Sequence, residues 1–373
     1  MTETTQEDRA PRHSSPPPAP KAVILRATAQ EVVGATLRVA GLSVIERSIK
    51  QIDRLGYTIV VASDGSCPLP KFLPPSVIVR RVPKPDDLTA LRKETPGLLE
   101  IPANLVRPSG RSLEGGLRVV DQQSRKRAED AVFAELLRGD LGFVARYLNK
   151  PVSFFITRHL LCHLPLSPNQ VSVGAAILGF CGAALIATGN YAIMIWGFFL
   201  AHVQSILDGC DGELARVRLQ QTPFGEWLDT LLDDGLNILI FAALGIGLHR
   251  GTGVGLYLAA GVLAAAMHLC YDAVAISEIR RQGETGETIK LRWRLAGKES
   301  LKKRLQKGPA QGRSNLAMAL VTMGRRDFFI FAFLVYALVG LPKLTLIHAA
   351  IVATSVFTVA VAQLIWRLRG SPE

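Results

Sequence analysis

Six apolar stretches, at roughly 169–187, 190–207, 225–249, 254–278, 327–340 and 344–366, crowd the second half of this 373-residue chain. The hydrocarbon core of a bilayer is about 30 Å thick and takes about 20 mostly apolar residues per helix. A soluble core could not absorb six such segments, because the remaining polar surface is too small to cover them. The pattern therefore predicts an all-α membrane half of six transmembrane helices. Its fifth span is the shortest and needs Arg325 and Arg326 at the interface. Residues before about 150 carry no such stretch and read as a water-soluble part.

Charge orients the spans. The formal net charge is +12, and residues 279–325 alone hold twelve Lys or Arg against three acids. The connections on the other side, near 189, 249–252 and 341–343, are short and carry few charges. Basic loops stay in the cytoplasm, so the bias fits one topology, with both termini cytoplasmic in an inner or plasma membrane. No basic stripe with interleaved aromatics marks the soluble part, which argues against nucleic acid and for anionic lipid and phosphate as partners. Cys67, Cys162, Cys181, Cys210 and Cys270 form no CxxC pair, so reduced, structural roles are expected. Residues 1–20 are polar and Pro-rich, are expected to be disordered, and do not resemble a signal peptide.

Within the soluble part, KAVIL (21–25) and TIVVAS (58–63) are β-branched runs that suit buried parallel strands. Between them Val44, Ile45, Ile49, Ile52 and Leu55 recur at helical spacing up to Gly56, completing a β-α-β unit. SVIVRRV (76–82) extends the sheet, and 124–139 reads as a helix with Ala128, Val132, Phe133, Leu136 and Leu137 on its apolar side. The opening resembles that of sugar-phosphate and inositol-phosphate nucleotidyltransferases, which implies a Rossmann-like α/β domain over 21–140. Such enzymes follow the first strand with a Gly-rich phosphate loop. Here RATAQEVVGATLRVAG offers only Gly34 and Gly41, so the domain reads as degenerate, with a docking or regulatory role. From 141 to 166 the chain alternates Phe143, Leu148, Val152, Phe155 and Leu160 with Arg146, Lys150, Arg158 and His159. That predicts an interfacial helix with its basic side toward lipid head groups. Ser167 and Pro168 then mark the start of the membrane domain, 167–370.

Residues 206–235, ILDGCDGELARVRLQQTPFGEWLDTLLDDG, place seven carboxylates between two spans. Asp229 and Asp233 lie four apart and share one helix face, while Asp208 and Asp211 close the second span, so the four should converge at one depth. A carboxylate inside a membrane costs about 2.5–3.5 kcal/mol on insertion scales, and a cation would offset it. Oxygen-only donors favour a hard ion, Mg²⁺ or Mn²⁺, which points to phosphoryl chemistry. Arg216 adds a bidentate donor suited to a diphosphate. Gly212, Ala215 and Gly225 leave the backbone open to a nucleotide. A structural or ion-conducting acid cluster would leave those four residues unexplained. Glu213, Glu226 and Asp234 read as solvated or capping neighbours, and His202 as a packing residue.

The eight residues Asp208, Asp211, Gly212, Ala215, Arg216, Gly225, Asp229 and Asp233 match the signature of the CDP-alcohol phosphotransferase family at every fixed position. The resemblance implies six helices around a polar cavity open to the cytoplasm, and transfer of a substituted phosphate from a CDP-linked donor to an alcohol with release of CMP. It implies that Asp208, Asp211, Asp229 and Asp233 hold metal, that Asp233 is also the general base, and that Gly212, Ala215, Arg216 and Gly225 hold the nucleotide diphosphate. The order of parts is similar to the di-myo-inositol-phosphate phosphate synthase branch. CDP-diacylglycerol or CDP-inositol is thus the expected donor and an inositol phosphate the expected acceptor. Arg280, Arg281, Arg313, Arg325 and Arg326 are candidate acceptor-phosphate ligands. Small residues such as Gly174, Gly182, Ala260 and Gly261 permit close helix contact, and the family is typically homodimeric. A non-catalytic membrane scaffold with a vestigial acidic site is the alternative.

Overall fold

The computed structural model describes residues 22–94, 98–109, 113, 115–137, 142–282 and 322–368. Contacts divide the chain into two compact units, 1–128 and 129–373. The expected disorder of residues 1–20 lies outside the described residues, as do most of the basic loop and Arg313.

In the first unit, elements follow in the order β1 (Ala22–Ala27), α1 (Val32–Thr36), β2 (Arg38–Val39), β3 (Leu42–Ser43), α2 (Val44–Arg54), β4 (Thr58–Ser63), β5 (Val77–Arg81), α3 (Pro85–Glu94), β6 (Leu99–Pro102), β7 (Leu105–Val106) and β8 (Leu117–Arg118). Helix α4 (Gln122–Leu136) crosses the division between units. Strands β5-β4-β1-β6 form one parallel sheet, with Ala22 opposite Thr58 and Val23 opposite Leu99. Segment β1-α2-β4 is the expected β-α-β unit. Ser43 caps α2 by accepting the Glu46 N–H at 3.3 Å. Val23, Leu25, Ile45, Ile49, Ile52, Ile59, Val61 and Ile101 fill one layer beside the sheet. Ile24, Ala62, Val82 and Leu91 fill another. Burial on both sides explains why β1 and β4 read as continuous apolar runs.

The second unit is helical. Helix α5 (Lys150–His159) leads through a short 3₁₀ turn to α6 (Pro168–Ile186), α7 (Tyr191–Val217), α8 (Pro223–Thr252), α9 (Gly255–Gln282), α10 (Arg326–Leu338) and α11 (Lys343–Leu368). Among the described residues, five helices are long and apolar enough to span a bilayer: α6, α7, α8, α9 and α11. The expected fifth span is α10, whose 13 residues rise about 20 Å, short of a full crossing by itself. Each start has a local cause. Ser167 and Gln170 form a capping box at α6, Asn190 caps α7, and Thr222 caps α8 ahead of Pro223.

Between α5 and the residues before it, the chain departs from the expected interfacial helix. Residues Ala145–Asn149 form a π-type turn, α5 ends at His159, and residues 164–167 are not helical. The face turned into the protein is the small polar one, Asn149, Ser153 and Thr157. Phe143, Tyr147, Val152, Phe155 and Leu160 point away from it. Lys150 is also turned inward, where it meets Glu213, rather than standing with the head-group cations.

Glycines set the helix spacings. A Cβ on Gly247 would lie 2.1 Å from the Ile186 carbonyl oxygen, and one on Gly261 would lie 2.5 Å from the Gly245 Cα. Gly182 likewise faces the Gly197 carbonyl at 2.8 Å from a built Cβ. Gly182 and Gly261, read from sequence as contact residues, are thus used within the chain. Gly174 faces open space. Gly247→Val and Gly261→Val should each lower stability by about 1–3 kcal/mol or more through overpacking, whereas Gly174→Val should leave it unchanged. Thermal unfolding of detergent-purified variants checks this, and equal melting temperatures for all three would contradict the packing.

Candidate active site

Helix α7 carries Asp208 and Asp211 and continues without a break to Val217, so these acids do not close the span as expected. Helix α8 opens at Pro223, with the Gly225 N–H donated to the Thr222 hydroxyl at 3.1 Å, and presents Asp229 and Asp233 one turn apart. Asp208, Asp229 and Asp233 bring one carboxylate oxygen each to within 4.8 Å of one another. Two helices therefore deliver three acids to one point. Asp211 is buried and accepts the Ser172 hydroxyl of α6 and its neighbour Gly212's N–H, standing beside the trio rather than in it.

Arg326, at the first turn of α10, reaches this cluster. Its guanidinium donates to Asp233, lies 3.4 Å from Asp208, and donates to Gln204 at 2.8 Å and Asn237 at 3.2 Å. The residue read as an acceptor-phosphate ligand thus sits against the motif carboxylates. Its cation offsets part of the negative charge they gather. Gln204 and Asn237 are buried polar residues that sequence reasoning missed. Each lies four positions from a motif acid, Gln204 before Asp208 and Asn237 after Asp233, so helical spacing could have found both.

The other expected residues disperse. Arg325 pairs with Asp327 at 3.4 Å, and Asp327 accepts the Ala145 N–H at 2.9 Å, so this pair fixes the entry segment. Arg280 is exposed on the last turn of α9, where Arg281 is 3.9 Å from Glu278. Arg216 is exposed near the end of α7, and a Cβ on Gly212 would meet only its guanidinium, at 3.6 Å. Gly225 has less room, with Asn169 at 3.0 Å and Thr222 at 3.2 Å from a built Cβ. His202 packs against Phe331, their ring centroids 5.4 Å apart, in line with a packing role.

Two charged residues expected to be solvated or left without a role instead build the frame. Glu213 is fully buried and accepts from Lys150 Nζ at 2.7 Å, Ser153 Oγ at 2.6 Å and Thr157 Oγ1 at 2.8 Å. It pins α5 to the helix that carries Asp208 and Asp211. Arg218 donates to the carbonyls of Leu166 at 2.6 Å, Leu164 at 2.7 Å and Leu161 at 3.0 Å, closing the turn into α6. Asp234 is partly buried and faces α9 beside His268 and Asp272.

Residues 165–290 match the CDP-alcohol phosphatidyltransferase family. Curated relatives named "Bifunctional IPC transferase and DIPP synthase" are 40% identical over 149 residues in Rubrobacter xylanophilus, 27% over 230 in Aquifex aeolicus and 36% over 108 in Thermococcus kodakarensis. These alignments cover 40%, 62% and 28% of this chain. They span 33%, 45% and 24% of the relatives' own lengths, less than half in each case.

Removing Glu213 would strand a largely buried ammonium and two buried hydroxyls. Glu213→Ala is expected to lower stability by about 3–5 kcal/mol, the scale for breaking a buried pair from one side. The Lys150→Met, Glu213→Leu double variant should recover part of that loss, and paired thermal melts in detergent measure both.

Proposed function

We propose that this protein, whose residues 165–290 match the CDP-alcohol phosphatidyltransferase family, transfers a substituted phosphate from a CDP-linked donor to an alcohol hydroxyl and releases CMP. The observation that carries the reading is the convergence of Asp208, Asp229 and Asp233 from two helices within 4.8 Å. Three carboxylates with no nitrogen or sulfur donor among them fit a hard divalent ion, Mg²⁺ or Mn²⁺. Asp208, Asp229 and Asp233 would hold it, with Asp211 supporting from the side. When bound, such an ion neutralises developing charge on phosphoryl oxygens.

The chain's own residues then divide the work. Arg216, exposed at the end of α7, binds the donor diphosphate, with Gly212 and Ala215 leaving the backbone open beside it. Asp233 takes the proton of the acceptor hydroxyl. That oxygen forms a new bond to the phosphorus bearing the donor's alcohol, the phosphoanhydride bond breaks, and CMP leaves with the electron pair. Arg326, held by Gln204 and Asn237, keeps a guanidinium at the reaction centre and offers it to the acceptor's phosphate. Names of the relatives support an inositol-phosphate acceptor and CDP-inositol as the donor, with CDP-diacylglycerol the lipid counterpart. We place six spans, α10 among them, in an inner or plasma membrane with the site facing the cytoplasm, lipid against the outward aromatic face of α5, and a homodimer as the working form.

The front domain has a separate role. Ligands of open α/β sheets bind at the carboxyl ends of the strands where the order reverses, here beside β1 and β6. Arg26 fills that place, paired with Glu31 at 2.7 Å and Glu100 at 2.9 Å, and Arg92 joins Glu100 at 2.8 Å. This internal network, and the missing glycine loop, support a docking or regulatory domain over a working nucleotidyltransferase.

Purified protein with Mg²⁺ or Mn²⁺ should release CMP from CDP-inositol or CDP-diacylglycerol when offered inositol phosphate, glycerol phosphate or serine. Loss of a general base costs about 10²–10⁴-fold, so Asp233→Asn should fall by at least that much, and chelation should abolish turnover. Arg216→Ala should act mainly on KM for the donor. No release from any pair, by folded protein that binds no CDP-linked nucleotide, would favour the scaffold.

A further inference from the structure

A second cluster of ionisable side chains is buried between α8 and α9. Asp234 of α8 and His268 and Asp272 of α9 bring one ligand atom each to within 4.8 Å of one another. His268 is 5% and Asp272 4% exposed. Both ring nitrogens of His268 and both carboxylate oxygens of Asp272 are buried without a hydrogen-bond partner. Their closest mutual approach, Nε2 to Oδ1, is 3.8 Å, beyond hydrogen-bond range. Buried polar groups are paired as a rule, so four unpaired atoms at one point indicate a ligand that belongs there.

The surroundings narrow the kind of ligand. His268 and Asp272 share a face of α9 because they are four residues apart. The imidazole is held between the rings of Phe241 and Tyr271, with centroids 5.4 and 5.8 Å away. Among the described residues no Lys or Arg forms an ion pair with Asp234 or Asp272. Arg326 is within electrostatic reach of Asp234, but its N–H groups go to Asp233, Gln204 and Asn237. Ionised together, two carboxylates in an apolar bundle need a positive charge, which a hydroxyl-bearing molecule would not bring. One imidazole with two carboxylates suits Zn²⁺, Mn²⁺, Fe²⁺ or Co²⁺ rather than Mg²⁺.

We propose that Asp234, His268 and Asp272 bind a divalent transition-metal ion, distinct from any ion on the motif carboxylates, that ties α8 to α9. Asp234 directly follows Asp233, so the ion also steadies the turn of α8 that presents Asp233.

Full-length protein in detergent, stripped with a chelator and titrated with Co²⁺, tests this without substrate turnover, apart from the phosphotransfer reading. An Asp208→Asn, Asp229→Asn background removes two motif ligands. In it, one equivalent of Co²⁺ with a visible ligand-field band is expected, and His268→Gln in the same background should lose that band. His268→Cys should retain the ion and add a thiolate-to-cobalt charge-transfer band in the near ultraviolet. Circular dichroism establishes that each variant is folded. Unchanged Co²⁺ uptake and spectrum in His268→Gln, or no charge-transfer band in folded His268→Cys, would overturn the site.

Discussion

Mutual repulsion of carboxylates gathered inside a helix bundle is the constraint on which the rest of the membrane unit depends. Asp208, Asp229 and Asp233 meet within 4.8 Å, and such a gathering persists only where positive charge and firm scaffolding oppose it. Arg326 supplies the charge, and Gln204 and Asn237 hold its planar fork in place. Packing of Phe329, Ile330 and Phe333 of the short helix α10 into the shared core holds its first turn, and with it Arg326, against the acids.

The scaffolding is polar where a soluble protein would use apolar contacts. Lipid tails are as greasy as leucine, so burying a methyl group against another helix gains little within a bilayer. Close packing and buried hydrogen bonds take over. Gly247 at Ile186 and Gly261 at Gly245 bring the backbones together. Glu213 gathers Lys150, Ser153 and Thr157, and Arg218 gathers three carbonyls. The first knot is anchored within the motif on α7 and the second one residue past the end of that helix. Much of the charge in 206–235 therefore positions the site instead of entering it.

In the first unit the same rule works in reverse. There the sheet is stabilised by apolar residues on both sides, and a partly buried ionic network, Arg26 with Glu31 and Glu100, lies where a related fold would admit a ligand. Cys67, buried beside Asp64 and Glu31, has its thiol pushed up to about 11 chiefly by burial, so it is unreactive at neutral pH.

Patterns of local origin were legible in the sequence. Hydropathy located the long spans, strand runs located β1, β4 and β5, Ser167-Pro168 marked the start of α6, and the spacing Asp229-x3-Asp233 put two acids on one face. Each depends on neighbours a few positions apart, so the chain carries it in one dimension. What Glu213, Asp234, Lys150 and Arg326 do depends on partners 34 to 122 residues distant along the chain, and no spacing rule reaches that far. Read alone, Glu213 and Asp234 are ordinary charges near a membrane boundary, and Arg326 is one of many cations in a basic region. Only the packing of α5, α7, α8, α9 and α10 decides which of these charges is buried and against what. In an apolar medium, burial and partner together determine whether a charge serves as scaffold, counter-ion or ligand.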